Sequence, residues 1–352
     1  MGRSPRARDA GFAYGNLPTG ALNSIADVPG VRVGHRTLID GDIRTGVTAI
    51  IPHDRNLYRE KPVAAVHVLN GFGKSAGLVQ VEELGTIETP ILLTNTLSVG
   101  TCCTALVRHA IERNPEIGRE TATVNPVAFE CNDGYLNDIQ ALAVTEADAR
   151  AALESASSHV AVGSVGAGCG MSTFGFKGGI GTTSRRLELD GQSYHLGVLV
   201  LSNFGRSGDL RLPDGRVAAP AAISASDKSV VEKGSVIVIA ATDIPLSDRQ
   251  LKRLIRRSGV GLARLGSFWG HGSGDIALGF TTGNILAHEE KADLVDLRIL
   301  NESRMDLLFE ALADATQEAV LDALVGAGSM TGRSGHHRPS LLDVLNPLAP
   351  EA

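Results

Sequence analysis

Aromatic residues and long apolar runs are scarce in this chain of 352 residues. Phe, Trp and Tyr together make up 4% of it, so aromatic side chains cannot dominate its core. No window of about 18 consecutive apolar residues occurs, and no apolar run of the signal-peptide type follows the basic start. The sequence therefore predicts neither a membrane span nor an export signal, and we expect a cytoplasmic protein.

The sequence also lacks a large excess of charge of one sign, and it lacks the spacings of His and Cys that are typical of metal sites. The formal net charge of -6 gives no basic surface for nucleic acid or anionic membranes, so neither is an expected partner. His336 and His337 stand in a segment rich in Gly, Ser and Arg, which we interpret as a solvated loop. We expect no metal and no cofactor. The cysteines form no C-x-x-C pair, and we expect them to be buried thiols: Cys102, Cys103, Cys131 and Cys169.

Glycine, by contrast, is abundant, with 41 residues, which is typical of tight turns and close backbone approaches. A composition of 43% hydrophobic and 20% charged residues predicts a folded chain with a large core, arranged as one big domain or two. The glycine-rich run 163–170 is not interpreted as a dinucleotide loop, because strand-like residues follow it where a Rossmann motif needs a helix.

Alternating and apolar segments predict a mixed α/β chain. Helices are predicted at 101–113 and 146–155, and a capping box at Ser247 predicts the start of a third. An amphipathic helix is predicted over 303–324. The segment 207–232 lacks a sustained period and is interpreted as an exposed linker. Strands are predicted at 31–35, 47–51, 63–69, 90–96, from 127 onward, and at 186–189, 194–201, 234–243 and 276–280.

One predicted strand begins with an unusual pair, Gly234 and Ser235, followed by six residues that are all Val, Ile or Ala. The commoner meaning of a Gly-Ser step is a turn serine that caps a strand. The alternative is that Ser235 is both the site of self-cleavage and the nucleophile that cleavage releases.

Polar clusters end two other predicted strands and directly precede a third, and such positions often carry chemistry on a rigid frame. Each has a structural alternative: an Asn-Asp-Gly turn at 132–134 with Tyr135 as a packing residue, a strand-end cap at Asn203, and a glycine turn at 270–275. The local sequence does not decide between the two meanings.

Taken in order, these segments resemble the family of L-aminopeptidase/D-amidase-esterases and β-aminopeptidases, self-cleaving serine hydrolases of the N-terminal-nucleophile-like type related to ornithine acetyltransferases. The resemblance spans roughly residues 16–324. It implies one domain, 1–352, with an αββα sandwich of two mixed sheets between helix layers, cut between Gly234 and Ser235 into an α chain, 1–234, and a β chain, 235–352. The matching segments are 23–35, 132–135, 165–168, 203–205, 234–235 and 273–275.

The resemblance also implies roles for individual residues. Ser235 is the nucleophile, Ser273 hydrogen-bonds it, and the Asp275 carboxylate orients or polarises that serine. A free α-amine, whose ordinary pKa is about 8, serves as a local base at the new N-terminus. The glycine at 234 leaves room for the tetrahedral intermediate of self-cleavage.

Further implied roles concern substrate binding. Asn203 is the oxyanion amide, and Tyr135 adds a phenol donor, although some relatives place tyrosine where this chain has Asn132. Either Glu130 or Asp133 holds the substrate ammonium.

The predicted activity is that of an autoprocessed, cofactor-free serine aminopeptidase acting on small peptides, amino-acid amides or esters, assembled as a tetramer of αβ units. The preference for α- or β-aminoacyl groups, and for L or D, stays open. Two alternatives are an acyltransferase like the ornithine acetyltransferases, which usually offer a threonine nucleophile, and a non-catalytic protein that binds a metabolite in the same cavity.

Overall fold

The computed structural model describes residues 4–220 and 233–345. Each of the predicted strands and helices is present in those ranges. The helices are α1 (Leu78–Leu84), α2 (Val99–Arg113), α3 (Glu146–Glu154), α4 (Asp248–Ile255), α5 (Ser258–Arg264), α6 (Met305–Val325) and α7 (Leu341–Leu345). The strands are β1 (Arg32–Asp40), β2 (Ile43–Ile51), β3 (Glu60–Gly71), β4 (Ile91–Asn95), β5 (Val127–Cys131), β6 (Ser172–Thr173), β7 (Phe176–Lys177), β8 (Gly179–Leu189), β9 (Gln192–Asn203), β10 (Leu210–Arg211), β11 (Val217–Ala218), β12 (Lys233–Thr242), β13 (Gly272–Ala287), β14 (Met330–Thr331) and β15 (His337–Arg338).

Two mixed sheets carry the fold. The first has the strand order β1-β2-β4-β5, in which only the β4-β5 pair is parallel. The second has the order β3-β13-β12-β9-β8, and its parallel pair is β12-β13. Turns at Gly41 and at Asp190-Gly191 close the β1-β2 and β8-β9 hairpins, and all three residues have the positive φ that such tight turns need.

Alternation along the strands builds four layers. In β12, Val236, Val238 and Ala240 pack toward α4, α5 and α6, whereas Ile237 and Ile239 face the first sheet. On the first sheet, β2 and β5 turn Val47, Ala49 and Ala128 toward α2 and α3. The sequence-based fold class, an αββα sandwich, is therefore confirmed. None of the helices in the described ranges combines the length and hydropathy that a bilayer crossing requires.

The interpretation of 207–232 as an exposed linker is only partly correct for the described part, because most residues of 211–219 are exposed but the segment also contains paired strands and buried side chains. Strands β10 and β11 pair antiparallel there, and Leu210, Leu212 and Ala218 are buried in the core between the second sheet and its helices. Strands of two residues are too short to produce a readable alternation, so the sequence pattern concealed them. Residues 221–232 lie outside the described residues.

The helix predicted over 303–324 is present as α6, but the prediction that it is amphipathic is wrong. In α6 every residue from Ala311 to Val325 is buried, including Asp314, Glu318 and Asp322. Their carboxylates form ion pairs with arginines, which explains how a helix covered on all sides can contain acidic residues: Arg264 with Asp314, Arg8 and Arg185 with Glu318, and Arg6 with Asp322.

Candidate active site

Strand register brings the predicted nucleophile and its partners together. Ser235 lies near the start of β12, opposite Gly274 of β13 on one side and Asn203 of β9 on the other. Neighbouring strands lie about 4.8 Å apart, so residues in register across three strands form one contiguous group. Ser273 and Asp275 flank Gly274 within β13 and are themselves buried, so the predicted glycine turn at 270–275 is strand from Gly272 onward.

Ser235 is 4% exposed, and its hydroxyl makes two hydrogen bonds. With the 234–235 peptide intact, Oγ donates to the Gly234 carbonyl oxygen at 2.6 Å and accepts from the Gly274 amide at 3.2 Å. The expected partner, Ser273, instead donates its own hydroxyl to Asp275 Oδ1 at 2.7 Å. The same Oδ1 also accepts from the Val236 amide at 3.2 Å, which ties the carboxylate to the residue after Ser235.

Backbone packing explains the glycine before the serine. A Cβ at position 234 would overlap the Asn203 carbonyl oxygen and lie 2.9 Å from the Phe204 Cα. Both neighbours are backbone atoms of the adjacent chain segment and cannot rotate away. Position 234 therefore accepts glycine alone without a shift of β9 against β12.

The Asn203 amide has a fixed orientation. Its Oδ1 accepts from the Ser172 amide at 2.9 Å, and its Nδ2 donates to the Asn132 carbonyl oxygen at 3.0 Å. The amide nitrogen carries two hydrogens, so the second N–H of Asn203 is not used by the bond to Asn132. Asn203 lines the central cavity described below, at the end of its strand.

Of the two predicted ammonium-binding carboxylates, Glu130 lines the cavity and Asp133 lies behind its wall. Glu130 Oε1 accepts from the Lys74 amide at 2.8 Å, and Oε2 accepts from the Thr96 hydroxyl. Asp133 is 1% exposed and accepts from Asn137 Nδ2 at 3.0 Å. Burial raises the pKa of Asp133 to about 7, so this carboxyl is partly protonated at neutral pH.

Tyr135 lines the cavity and is held by the C-terminal segment 330–338. Its ring stacks on His336 at 4.6 Å, and the Arg338 guanidinium lies 3.6 Å from the ring centroid. Its carbonyl oxygen hydrogen-bonds His336 Nδ1 at 2.8 Å, and Arg333 donates to the neighbouring Gly134 carbonyl oxygen at 3.1 Å. The interpretation of 336–337 as a solvated loop is therefore wrong for His336, which is half-buried.

These residues surround one central cavity of about 910 Å³, large enough for a small ligand. Sequence reasoning missed much of its wall, because those residues come from irregular or glycine-rich segments that meet only in the fold. The missed lining residues that carry polar or aromatic side chains are Phe72, Lys74, Thr96, Ser172, Arg206, Ser207, His271 and Arg338.

The cysteines and possible metal ligands complete the description of the site. Cys131 is fully buried and its thiol lies 3.4 Å from the Ser235 carbonyl oxygen, and burial raises its pKa well above the ordinary value. Cys102 and Cys169 are buried as predicted, whereas Cys103 is only half-buried. Within residues 4–220 and 233–345, no group of three or more histidine, cysteine, aspartate or glutamate side chains is arranged to hold a metal ion.

Comparison with protein families and curated relatives identifies similar chains. The family model described as peptidase family S58 matches residues 23–338. A protein named β-peptidyl aminopeptidase BapA from Sphingosinicella microcystinivorans is 39% identical, over 94% of this chain and 88% of its own length. Another of the same name, from Sphingosinicella xenopeptidilytica, is 37% identical over 93% of this chain and 86% of its own.

Solved structures similar to this chain share its fold over nearly their whole length. The PH0078 protein of Pyrococcus horikoshii OT3 has a TM-score of 0.89 and 44% identity, covering 97% of this chain and 99% of its own. A Burkholderia sp. β-aminopeptidase has a TM-score of 0.86 and 40% identity, with coverage of 99% and 100%. The L-aminopeptidase D-Ala-esterase/amidase of Ochrobactrum anthropi, described as a prototype for the serine aminopeptidases and a variant of the Ntn hydrolase fold, has a TM-score of 0.87 and 36% identity, with coverage of 98% and 100%.

Proposed function

Because the chain belongs to peptidase family S58 and is a serine aminopeptidase with the Ntn hydrolase fold, we propose that it cuts itself before Ser235 and then uses this residue as its nucleophile. The observation that carries the proposal is the position of Ser235 in register with Asn203 and between the strands that carry Asn203, Ser273 and Asp275. Ser235 and Asn203 line the central cavity, and the serine hydroxyl is already hydrogen-bonded to the carbonyl that it would attack.

Self-cleavage proceeds as an N-to-O acyl shift. Ser235 Oγ attacks the Gly234 carbonyl carbon, the C–N bond breaks, and the hydroxyl proton passes to the departing nitrogen. The product is an ester between Gly234 and the Ser235 side chain, with a free α-amine on Ser235. Water then hydrolyses the ester, which releases the Gly234 carboxylate and restores the hydroxyl. The buried, fixed position of Oγ beside this carbonyl favours the first step by proximity.

Peptide hydrolysis then reuses the same hydroxyl. Ser235 Oγ attacks the first carbonyl of the substrate while the new α-amine, with an ordinary pKa of about 8, accepts its proton. The second N–H of Asn203 stabilises the oxyanion, and loss of one such donor typically costs about 100- to 1000-fold in rate. Ser273 and Asp275 orient the reacting hydroxyl once the peptide before it is gone. The leaving amine takes the proton, and water hydrolyses the acyl-enzyme.

Glu130 holds the substrate ammonium in this scheme. It is 2% exposed and is the carboxylate among the described residues lining the cavity, and two hydrogen bonds fix its orientation. Asp133 is less suited, because its burial raises its pKa to about 7 and it lies behind the wall. We expect the phenol of Tyr135, which lines the same cavity, to add a hydrogen-bond donor to the bound substrate.

The substrates are short peptides, amino-acid amides or esters with a free amino group. Relatives at 36 to 40% identity carry the names β-aminopeptidase, β-peptidyl aminopeptidase and L-aminopeptidase. Both β-aminoacyl and α-aminoacyl compounds therefore belong in a first substrate panel, with β-alanyl and L-alanyl p-nitroanilides as matched members.

A denaturing gel with N-terminal sequencing tests self-cleavage, and hydrolysis of the substrate panel by the same preparation tests activity. Two chains are expected, the smaller beginning Ser-Val-Ile-Val, and Ser235→Ala is expected to give one intact, inactive chain. Ser193→Ala, at an exposed position of β9, is the matched control and should be cut and active. A continuous chain that hydrolyses the panel, or a Ser235→Ala variant that retains turnover, would contradict the proposal.

A further inference from the structure

Residues 289–299, between β13 and α6, form an exposed arm. These eleven residues belong to no helix or strand, and each of them is exposed. The most exposed large apolar residue of the arm is Leu294, at 88%. Three more large apolar residues are exposed beside it: Val295, Leu297 and Ile299. One exposed apolar side chain is ordinary in a folded protein, but four within eleven residues form a patch that is typical of an interaction surface.

The arm also carries an excess of negative charge. It contains four carboxylates and two cationic side chains. Glu289, at the start of the arm, pairs with Arg59 at 3.0 Å. Asp293 and Asp296 stand next to the apolar residues and form no ion pair with any residue that the structure describes. A surface that binds the arm therefore needs apolar side chains and at least one cation close to them.

The same chain offers such a surface between β3 and α5. An open groove of about 640 Å³ lies there, and we call it the α5 groove. Its described lining contains no carboxylate and combines apolar with basic side chains: Leu69, Val260, Trp269, His67, Arg256 and Arg264.

The two arginines of the α5 groove differ in their ion pairs. Arg264 pairs with Asp314 at 2.6 Å, which offsets its charge. Arg256 is exposed and has no ion-pair partner among residues 4–220 and 233–345. The groove therefore has an uncompensated positive charge beside its apolar side chains, which matches the acidic and apolar arm.

The arm and the α5 groove do not contact each other within one copy, since both are open to solvent. The arm follows Ala287, which pairs with Glu60 at one end of β3. His67 of the groove lies seven residues further along this strand, which corresponds to about 23 Å. Each copy has one arm and one groove, so contacts between copies can form a reciprocal pair or close a ring.

We propose that the arm of one copy binds in the α5 groove of a second copy. The apolar side chains of the arm cover Leu69, Val260 and Trp269, and a carboxylate of the arm pairs with Arg256. Neither surface contains the peptide before Ser235, so this contact forms whether or not the chain is cut.

Size-exclusion chromatography with light scattering tests both sides of the contact. The wild-type protein is expected to have the mass of at least two αβ units. Two double variants, Leu294→Glu with Leu297→Glu in the arm and Val260→Glu with Arg256→Glu in the groove, should each dissociate at concentrations about tenfold or more above the wild-type value. Ile39→Glu, at an exposed apolar position of β1, is the control and should keep the wild-type mass. All of these positions are exposed, and circular dichroism verifies that each variant is folded.

A photoreactive residue in the arm tests where the arm binds. p-Benzoylphenylalanine replaces Leu294 in the uncut Ser235→Ala chain, so a cross-link between copies doubles the mass on a denaturing gel. Mass spectrometry should then map the cross-link to peptides that contain residues 67–69 or 256–269. The same photoreactive residue at position 39 is the control and should give no such cross-link.

Each outcome decides the question. A wild-type protein with the mass of one αβ unit overturns the inference, and so does an arm variant that keeps the wild-type mass. Loss of assembly in the arm variant alone, or cross-links that map outside the groove, would show that the arm binds a different surface and would also overturn it. Failure of self-cleavage leaves these measurements unaffected, because the uncut chain is expected to assemble in the same way.

Discussion

At the scale of single residues, the orientation of the Asn203 amide depends on a loop, and a buried lysine holds that loop. Lys177 Nζ donates to the carbonyl oxygens of Gly168, Met171 and Gly178, at 3.0, 2.9 and 2.8 Å. The loop that these three contacts close carries Ser172, whose amide donates to Asn203 Oδ1. Lys177 is therefore a positioning residue for the proposed oxyanion donor.

The substitution Lys177→Met tests this role. Three buried carbonyl groups would lose the ammonium as a donor, although the amides of Met171 and Gly178 still donate to the Gly168 and Met171 oxygens. A buried polar group that is left unsatisfied costs about 1–3 kcal/mol, so the loop is expected to rearrange. Because an oxyanion donor acts in the transition state, kcat should fall at least about tenfold while KM changes less. Steady-state kinetics on an aminoacyl p-nitroanilide measures the split, with Lys291→Met, at an exposed position, as the control.

A Lys177→Met enzyme with wild-type kcat would show that the loop holds its shape without the ammonium. A large rise in KM at constant kcat would place the lysine in ground-state binding and would equally contradict the positioning role. The pKa of Lys177 is lowered to about 7 by burial, so the wild-type assay is best run with pH as a variable.

At the scale of elements, the close contact between the start of β12 and the end of β9 leaves no room for a side chain at position 234. The substitution Gly234→Ala would push a methyl group into the Asn203 backbone and separate the two strands where the scissile peptide lies. We expect self-cleavage to slow by about tenfold or more, since near-attack geometry is sensitive to shifts of about 1 Å. The rate at which the 235–352 chain appears on a denaturing gel measures the effect.

Gly100→Ala is the matched control for this substitution. A Cβ at position 100, in α2, meets no atom within 4 Å, and alanine is about 1 kcal/mol better than glycine inside a helix. This variant should be cut at the wild-type rate and be at least as stable. Equal cleavage rates for Gly234→Ala and the wild-type chain would show that the strand contact is not what positions the serine.

Elements with a strong local pattern were predictable from the sequence, and those shaped by distant contacts were not. The apolar run after Ser235 and the Asp190-Gly191 turn gave β12 and the β8-β9 hairpin, because burial and turn chemistry are local signals. The packing of His336 and Arg338 on the Tyr135 ring was missed, because Tyr135 is about two hundred positions away in the sequence. Glu130 and Asp133 looked equivalent in sequence, and the fold separates them by cavity lining and by the raised pKa of Asp133.

At the scale of the whole molecule, the two chains that cleavage would create are interlocked. Strand β12 of the 235–352 chain lies between β9, from the first chain, and β13, from its own. Helix α6 of the second chain packs on β8 and β9 of the first. Buried ion pairs also join the two chains: Arg6 Nε binds Asp322 at 2.7 Å, and Arg185 binds Glu318 at 2.8 Å. Separating the chains would expose a core face and break buried charge pairs.

The cleaved protein is therefore expected to remain one particle under native conditions. Size-exclusion chromatography with light scattering should show residues 1–234 and 235–352 eluting together in equal amounts, and a denaturing gel of the same fraction should resolve them. If the αβ units assemble as the resemblance implies, the measured mass will be four times that of one unit. The uncut Ser235→Ala chain is the control and should elute at the same position, because cleavage removes one peptide bond and leaves the sheet pairing intact. We expect association because breaking a buried ion pair typically costs about 3–5 kcal/mol and separation would also expose the apolar contact between α6 and β8-β9. Dissociation of the cut chains at neutral pH and moderate salt would show that the sheet pairing and the buried ion pairs do not suffice to hold them together.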